Sequence, residues 1–147
     1  MRIAPAVASD AADWVAMRTA LWPDGGNGAH AADIARVLAD PGDTLNLVAR
    51  SDGNKALGFL EASLRHDYVE GCKTSPVAFL EGIFVWPEAR GTGVAGAMVA
   101  HAEDWGRQRG CTEFASDAAL DNLASHSMHT ALGFAETRRV VYFKKAL

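Results

Sequence analysis

Two hydrophobic periodicities alternate along this chain, and the order in which they do so predicts its elements. Residues 2–4 read as a short strand, after which Trp14, Met17, Arg18 and Leu21 recur at helical spacing until Pro23 stops the run. Ser9, Asp10 and Asp13 mark the start of that helix, because acids there complement the helix dipole. A second helix spans 29–39 with Ile34, Val37 and Leu38 on its buried face, and ends at Asp40-Pro41-Gly42. The glycine-rich stretch 24–28 is a loop between the two helices. Segments 44–50 and 56–66 have strand character and flank Ser51-Asp52-Gly53-Asn54, a hairpin turn. A third antiparallel strand, 77–85, follows a loop around Gly71. The pattern then changes to helix 93–109 closed by Gly110, strand 112–117, helix 123–132 and strand 136–145. An antiparallel meander followed by a βαβαβ half predicts an α/β fold with a mixed central sheet flanked by four helices.

Composition narrows what such a fold could do. At 147 residues, 49% hydrophobic, the chain suits one domain spanning 1–147 around one core, without disulfides or a structural metal. Its 2 cysteines, Cys72 and Cys111, lie far apart and lack Cys-x-x-Cys spacing, so a reducing cytoplasm is expected. A balance of 14 Lys+Arg against 18 Asp+Glu, net −4, is the wrong sign for tracking phosphates and the right one for a cationic substrate. Nucleic acid is therefore not an expected partner. Neither is a membrane, since no apolar run approaches the roughly 18 residues of a span and no signal peptide is visible.

The most informative stretch is Val85-Trp86-Pro87-Glu88-Ala89-Arg90-Gly91-Thr92-Gly93-Val94-Ala95-Gly96, where a strand leads through a turn into a glycine-rich helix start. Free N–H groups there, reinforced by the dipole, can hold a pyrophosphate, and glycines let the backbone come close. Gly91, Gly93 and Gly96 also spell G-x-G-x-x-G, with Asp117 downstream where a ribose contact would fall. Against a dinucleotide fold, five residues separate strand from first glycine, and too little chain remains for the usual repeats. The glycines could also serve only tight helix packing.

A different grammar, Arg-x-x-Gly-x-Ala at Arg90 to Ala95, resembles the acetyl-coenzyme A loop of the GNAT acyltransferases. That family's second segment follows in order: Asn122, then His129 where many members have Tyr, then Gly133-Phe134. Leu21-Trp22-Pro23, His66-Asp67-Tyr68, 80–84 and 114–122 together resemble the aminoglycoside 6'-N-acetyltransferases over nearly the whole chain. The resemblance implies that the main chain of Ile83, Phe84 and Val85 meets the pantetheine arm of acetyl-coenzyme A. It also implies that Gly91, Thr92, Gly93, Val94, Ala95 and Gly96 take the pyrophosphate, that Asn122 bonds the amide arm, and that Arg90 touches the distal part.

Acetyl transfer to an amine also needs a carboxylate to orient the cation and take its proton. Asp117, after the strand that follows the cradle, fits that role unless it caps the next helix, for which Asp121 is the better placed. Glu81 fits it if it shares a strand face with Phe79, Ile83 and Val85, where an acid is otherwise costly, unless it belongs to an internal ion pair. His129 is a candidate acid for the departing thiolate, a role that water could equally fill. It shares a helix face with His126, but no third ligand is spaced for a metal, and none is expected. Trp22 and Tyr68 resemble sugar-contacting residues, although either could be core, and Glu136 is a further acid near the site. Cys111 has no catalytic context, so direct transfer in a ternary complex is expected.

The implied function is acetylation of the 6'-amino group of an aminoglycoside. Alternatives are acetylation of another amine, polyamine or peptide, and a non-catalytic acyl-coenzyme A sensor. One more strand usually follows the last one in the resembled fold. An open edge is therefore expected here, with a second copy covering it in a homodimer.

Overall fold

The computed structural model describes residues 1–147, with all side chains except that of Asn27. Among them, five strands form one sheet in chain order: β1 (Arg2–Pro5), β2 (Thr44–Arg50), β3 (Ala56–Arg65), β4 (Val77–Val85) and β5 (Phe114–Ser116). The first four are antiparallel and β5 joins β4 in parallel. Helices α1 (Ala11–Leu21) and α2 (Asn27–Ala39) cover one face. On the other face lies α3 (Val94–Gln108), with the side chains of Met128 and Leu132 in and after α4 (Leu123–Ala131) leaning on the same core. Among the described residues no helix is long and apolar enough to cross a membrane.

The apolar runs of β2 and β4 give their bounds to the residue. Elsewhere the ends shift: the strand expected over 112–117 shortens to Phe114–Ser116, and the helix expected over 93–109 starts at Val94 because Gly93 is its left-handed cap. One expectation fails outright. Residues 136–145 form no strand, so the sheet ends in β4-α3-β5-α4. Val140, Val141, Tyr142 and Phe143 carry the apolar pattern of a strand, yet they are 48%, 72%, 86% and 94% exposed. Apolar pattern alone does not make a strand, because each edge needs a ladder partner. This segment is held at its start, where Thr137 packs on Gly71 and Arg138 pairs with Glu70.

The α1 face is fixed by a buried polar network. Glu61 of β3, 7% exposed, accepts from Trp14 Nε1 (2.8 Å) and from Arg18 Nε (2.6 Å) and Nη2 (2.9 Å). Burial alone would lower the Arg18 pKa, but bonds and charges from Glu61 and Asp33 outweigh it and raise the guanidinium above its usual range. Near the N-terminus Asp10 does not cap α1 toward solvent. It is buried against Arg50, whose Nη2 lies 2.6 Å away.

This network generates a stability prediction. Arg18→Met keeps the stem but leaves Glu61 charged and unpaired inside the protein, a defect that typically costs about 3–5 kcal/mol. Denaturant unfolding should show a loss of that order, and a loss below about 1 kcal/mol would mean that the pair is not buried in solution.

Candidate active site

A bulge in β4 sets the geometry of the site. Glu61 pairs with Gly82 and Ala62 with Leu80, which leaves Glu81 as the extra residue. Across the bulge the alternation slips, so Ala78 and Leu80 before it and Ile83 and Val85 after it all enter the core under α3. Glu81 therefore does not share the face of Ile83 and Val85, contrary to the strand-face expectation. It is exposed, accepts from Ser63 Oγ (2.6 Å), and receives Arg65 through Nε (3.2 Å) and Nη2 (3.0 Å). The ion-pair alternative describes this contact.

Beyond the bulge β4 has an unpaired edge. The β4–β5 ladder ends at Leu80 and Ser116, whereas β4 continues to Val85. Trp86 N–H donates to the Leu57 carbonyl (2.9 Å), so the alternation of an antiparallel ladder turns the main chain of Phe84 and Gly82 toward β3 and that of Ile83 and Val85 away from it. Those two residues face a notch that β5 has vacated. Arg90 Nε closes its far end by donating to the Val85 carbonyl (2.9 Å). Phe84 departs from the expectation, because its backbone belongs to the β3 ladder and its ring packs edge-on against Trp86 (4.9 Å).

The glycine-rich turn follows. Gly91 and Gly93 have φ of +75° and +87°, and a side chain at Gly91, Gly93 or Gly96 would meet nothing within 4 Å. Tight helix packing therefore does not explain these glycines. Thr92 Oγ1 donates to the Ala89 carbonyl (2.6 Å), Val94 is buried, and Ala95 packs on the same core. The result is a bare backbone turn leading into the N-terminus of α3, whose first N–H groups lack helical partners, an arrangement suited to a phosphate. A dinucleotide fold would continue in parallel strands on both sides, and here β4 has an antiparallel neighbour on one side.

Beyond β5, Asn122 rather than Asp121 caps α4, its Oδ1 accepting from Ser125 N–H (3.2 Å). Asp117 lies just past β5, exposed, and among the described residues no hydrogen bond or ion pair engages it. It is therefore not the helix cap. His129 is bound at both ring nitrogens, with Nδ1 2.7 Å from the Ser125 carbonyl and Nε2 2.7 Å from Ser116 Oγ. His126 turns to a different partner, the Ala119 carbonyl (2.9 Å), and among the described residues no group of three His, Cys, Asp or Glu could hold a metal.

On the α1 side, Trp22 sets Cη2 and Cζ2 of its indole against Gly82, edge-on to Phe59 (6.0 Å) and stacked with His30 (6.5 Å). It is a half-buried wall beside the bulge. Tyr68 is 76% exposed, on the loop between β3 and β4 that Glu113 ties down through Lys73 N–H (2.9 Å) and Thr74 N–H (2.8 Å). The core alternative for Tyr68 is thereby removed. Glu136 is exposed and pairs with Arg139, whose hydrogen bond and charge hold its carboxyl below the usual range. Its charge is already used locally. Burial pushes the Cys111 thiol up, and burial followed by the charge of Glu113 does the same to Cys72, which disfavours a nucleophilic thiolate at either.

The fold thus runs the open edge of Ile83 and Val85 into the glycine turn, ties His129 through Ser116 to Leu80 at the root of that edge, and sets Trp22 and Glu81 at the bulge. Sequence reasoning missed Ser116, Gly82 and Arg65. Ser116 is thirteen residues from His129, a separation with no local signature, and the role of Gly82 follows from a partner on another element.

Comparisons with known proteins agree with this geometry. The sequence profile of the Acetyltransferase (GNAT) family matches residues 13–134. An Acinetobacter baumannii protein named aminoglycoside N(6')-acetyltransferase type 1 is 54% identical over 145 residues, covering 99% of this chain and 98% of that one. The apo crystal structure of the aminoglycoside 6'-N-acetyltransferase AAC(6')-IG from Acinetobacter haemolyticus superposes with a TM-score of 0.94 at 49% identity, covering 100% and 99% of the two chains. A structure of AAC(6')-Iy with the bisubstrate analogue CoA-S-monomethyl-acetylneamine gives 0.91 at 42%, covering 99% and 98%.

The contact between Trp22 and Gly82 is directly testable. In Gly82→Ala the new methyl carbon would lie 2.5 Å from Trp22 Cζ2, so the indole must move off the bulge. Overpacking of this kind typically costs about 1–3 kcal/mol. Unfolding should report that loss and near-ultraviolet dichroism an altered tryptophan environment, whereas unchanged spectra and stability would place Trp22 elsewhere.

Proposed function

The chain belongs to the acetyltransferase (GNAT) family, and we propose that it moves the acetyl group of acetyl-coenzyme A to the 6'-amino group of aminoglycosides, conferring resistance to them. The observation that carries this reading is the unpaired edge of β4 running directly into the bare glycine turn. An extended amide-bearing arm can add to Ile83 and Val85 as a further ladder partner while its pyrophosphate reaches the start of α3. Coenzyme A has both parts in that order. Asn122 keeps its amide N–H₂ for the arm, since the cap uses only Oδ1, and Arg90 stands where it can meet the distal phosphates.

The acceptor enters from the side of Glu81, Trp22 and Tyr68. An ammonium cannot attack a thioester until it loses a proton, so a carboxylate must attract the cation and then accept from it. Asp117 takes this role because its oxygens are uncommitted, whereas Glu81 divides its charge between Arg65 and the substrate and acts chiefly in orientation. Trp22 supplies an apolar wall and Tyr68 a hydroxyl, a combination that suits an amphipathic sugar. Glu136, already paired, contributes at most at the rim. Attack is direct, in a ternary complex, and no metal is required. Free thiols at Cys72 and Cys111 suit a cytoplasmic location.

A homodimer completes this reading. The apolar segment 140–143 and the outer edge of β5 both lie open, and a second copy that covers them removes two liabilities at once. Sedimentation at micromolar concentration should give a dimer, and a monomer would contradict the assembly while leaving the chemistry untouched.

The catalytic reading is tested by release of free thiol with tobramycin or spermidine as acceptor. Rapid release with tobramycin is expected; preference for spermidine would favour a polyamine substrate, and binding of acetyl-coenzyme A without release would indicate a sensor. Asp117→Asn should retain cofactor affinity and lower kcat/KM for the aminoglycoside by roughly two orders of magnitude, with Glu81→Gln milder. Near-native kinetics in folded Asp117→Asn would move the base elsewhere.

A further inference from the structure

His129 stands where an acid for the departing thiolate is wanted, but the ring has no free nitrogen to offer it. Nδ1 lies 2.7 Å from the Ser125 carbonyl, which can only accept, and 3.2 Å from Ser125 Oγ, which can accept as well as donate; the shorter contact, with the carbonyl, assigns the proton of the neutral ring to Nδ1. Nε2 is the nitrogen that gains and loses one, and it is occupied by Ser116 Oγ at 2.7 Å. Any proton leaving the ring toward the notch therefore passes through the Ser116 hydroxyl. That hydroxyl is also 3.2 Å from the Leu80 carbonyl, the last β4 position paired with β5, which places it at the root of the notch.

We propose that Ser116 is the catalytic acid of the transfer, and that His129 acts through it as the group that resupplies its proton. The proposal rests on the acetyl-transfer reading and adds a residue to it. With the ring neutral, Ser116 donates to Nε2. With the ring charged, Nε2–H donates to Ser116 Oγ, and the hydroxyl proton turns to the Leu80 carbonyl or to a sulfur lying in the notch. As the tetrahedral adduct collapses, the C–S bond breaks and its electron pair goes to sulfur. Sulfur takes the Ser116 proton, Ser116 Oγ takes the proton from Nε2, and the ring is left neutral with Nδ1 protonated. The bound ammonium sheds two protons, one to Asp117 before attack and one from the adduct nitrogen by the same route, both passing on to solvent; the ring regains one from solvent and the thiol has gained one, so one proton is released for each acetyl group transferred.

The test compares Ser116→Ala, Ser116→Thr, His129→Phe and the double variant Ser116→Ala/His129→Phe. Calorimetry with acetyl-coenzyme A and steady-state thiol release with tobramycin are the two readouts. Expected are cofactor affinity and KM within about twofold of native in Ser116→Ala and kcat lower by about tenfold or more. Ser116→Thr, which keeps the hydroxyl, should restore kcat. His129→Phe should fall to a similar extent, and the double variant no further, because the two groups act as one unit. Native kcat in folded Ser116→Ala, failure of Thr to rescue, or losses that multiply in the double variant would each overturn the relay while native turnover leaves the acetyl-transfer reading standing. Loss of cofactor binding in Ser116→Ala would reduce the serine to a structural role. Should Ser116→Ala not fold, His129→Phe decides alone, since an unchanged kcat there excludes the relay. Absence of thiol release by the native chain would overturn the transfer reading itself and the relay with it.

Discussion

Everything at the site depends on β4 outlasting its parallel neighbour. Main-chain N–H and C=O groups that lose a ladder partner must find another or stay in water, and beyond Leu80 the edge of β4 offers Ile83 and Val85 to whatever lies beside it. In an ordinary sheet such an edge is a liability. Here it is followed by the glycine turn and α3, whose N-terminus presents a second set of unpaired donors. One backbone feature thus makes a site that can take a long, amide-bearing and phosphorylated ligand before any side chain is considered.

The bulge at Glu81 is what allows the two faces of β4 to serve different purposes. By inserting one residue, it keeps Ile83 and Val85 in the core under α3 while sending Glu81 to the surface and presenting bare Gly82 to Trp22. The wall formed by Trp22 is in turn fixed from below, because Arg18 lies 5.3 Å from its ring and is itself clamped to buried Glu61 on the neighbouring strand. The bulge and the open edge thus lie on one strand, β4, which suits a reaction that needs two ligands held within bonding distance.

Much of this was legible in the sequence where local chemistry decides the outcome. The apolar runs of β2 and β4, the hairpin turn between β2 and β3, and the glycine turn before α3 are each set by residues close in the chain, and the family segments around Arg90 and Asn122 mark the same places. What was not legible depends on distant partners. No local pattern announces a bulge, so Glu81 was assigned to the wrong face. Asn122 and Asp121 are both good caps, and only the path of the chain into α4 chooses between them. The apolar run 140–143 is a strand signal, but a strand also needs ladder pairing, and these residues pair with no edge of the sheet. Ser116 and His129 meet only because β5 and α4 pack on the same core.

Addition of the coenzyme to β4 as a further strand, as proposed above, is tested residue by residue by amide hydrogen exchange with and without saturating acetyl-coenzyme A. The amides of Ile83 and Val85 should gain strong protection, those of residues 93–96 should slow with them, and Phe84, already bonded to β3, should change little. Unaltered exchange at Ile83 and Val85 while calorimetry shows the site to be saturated would contradict the claim.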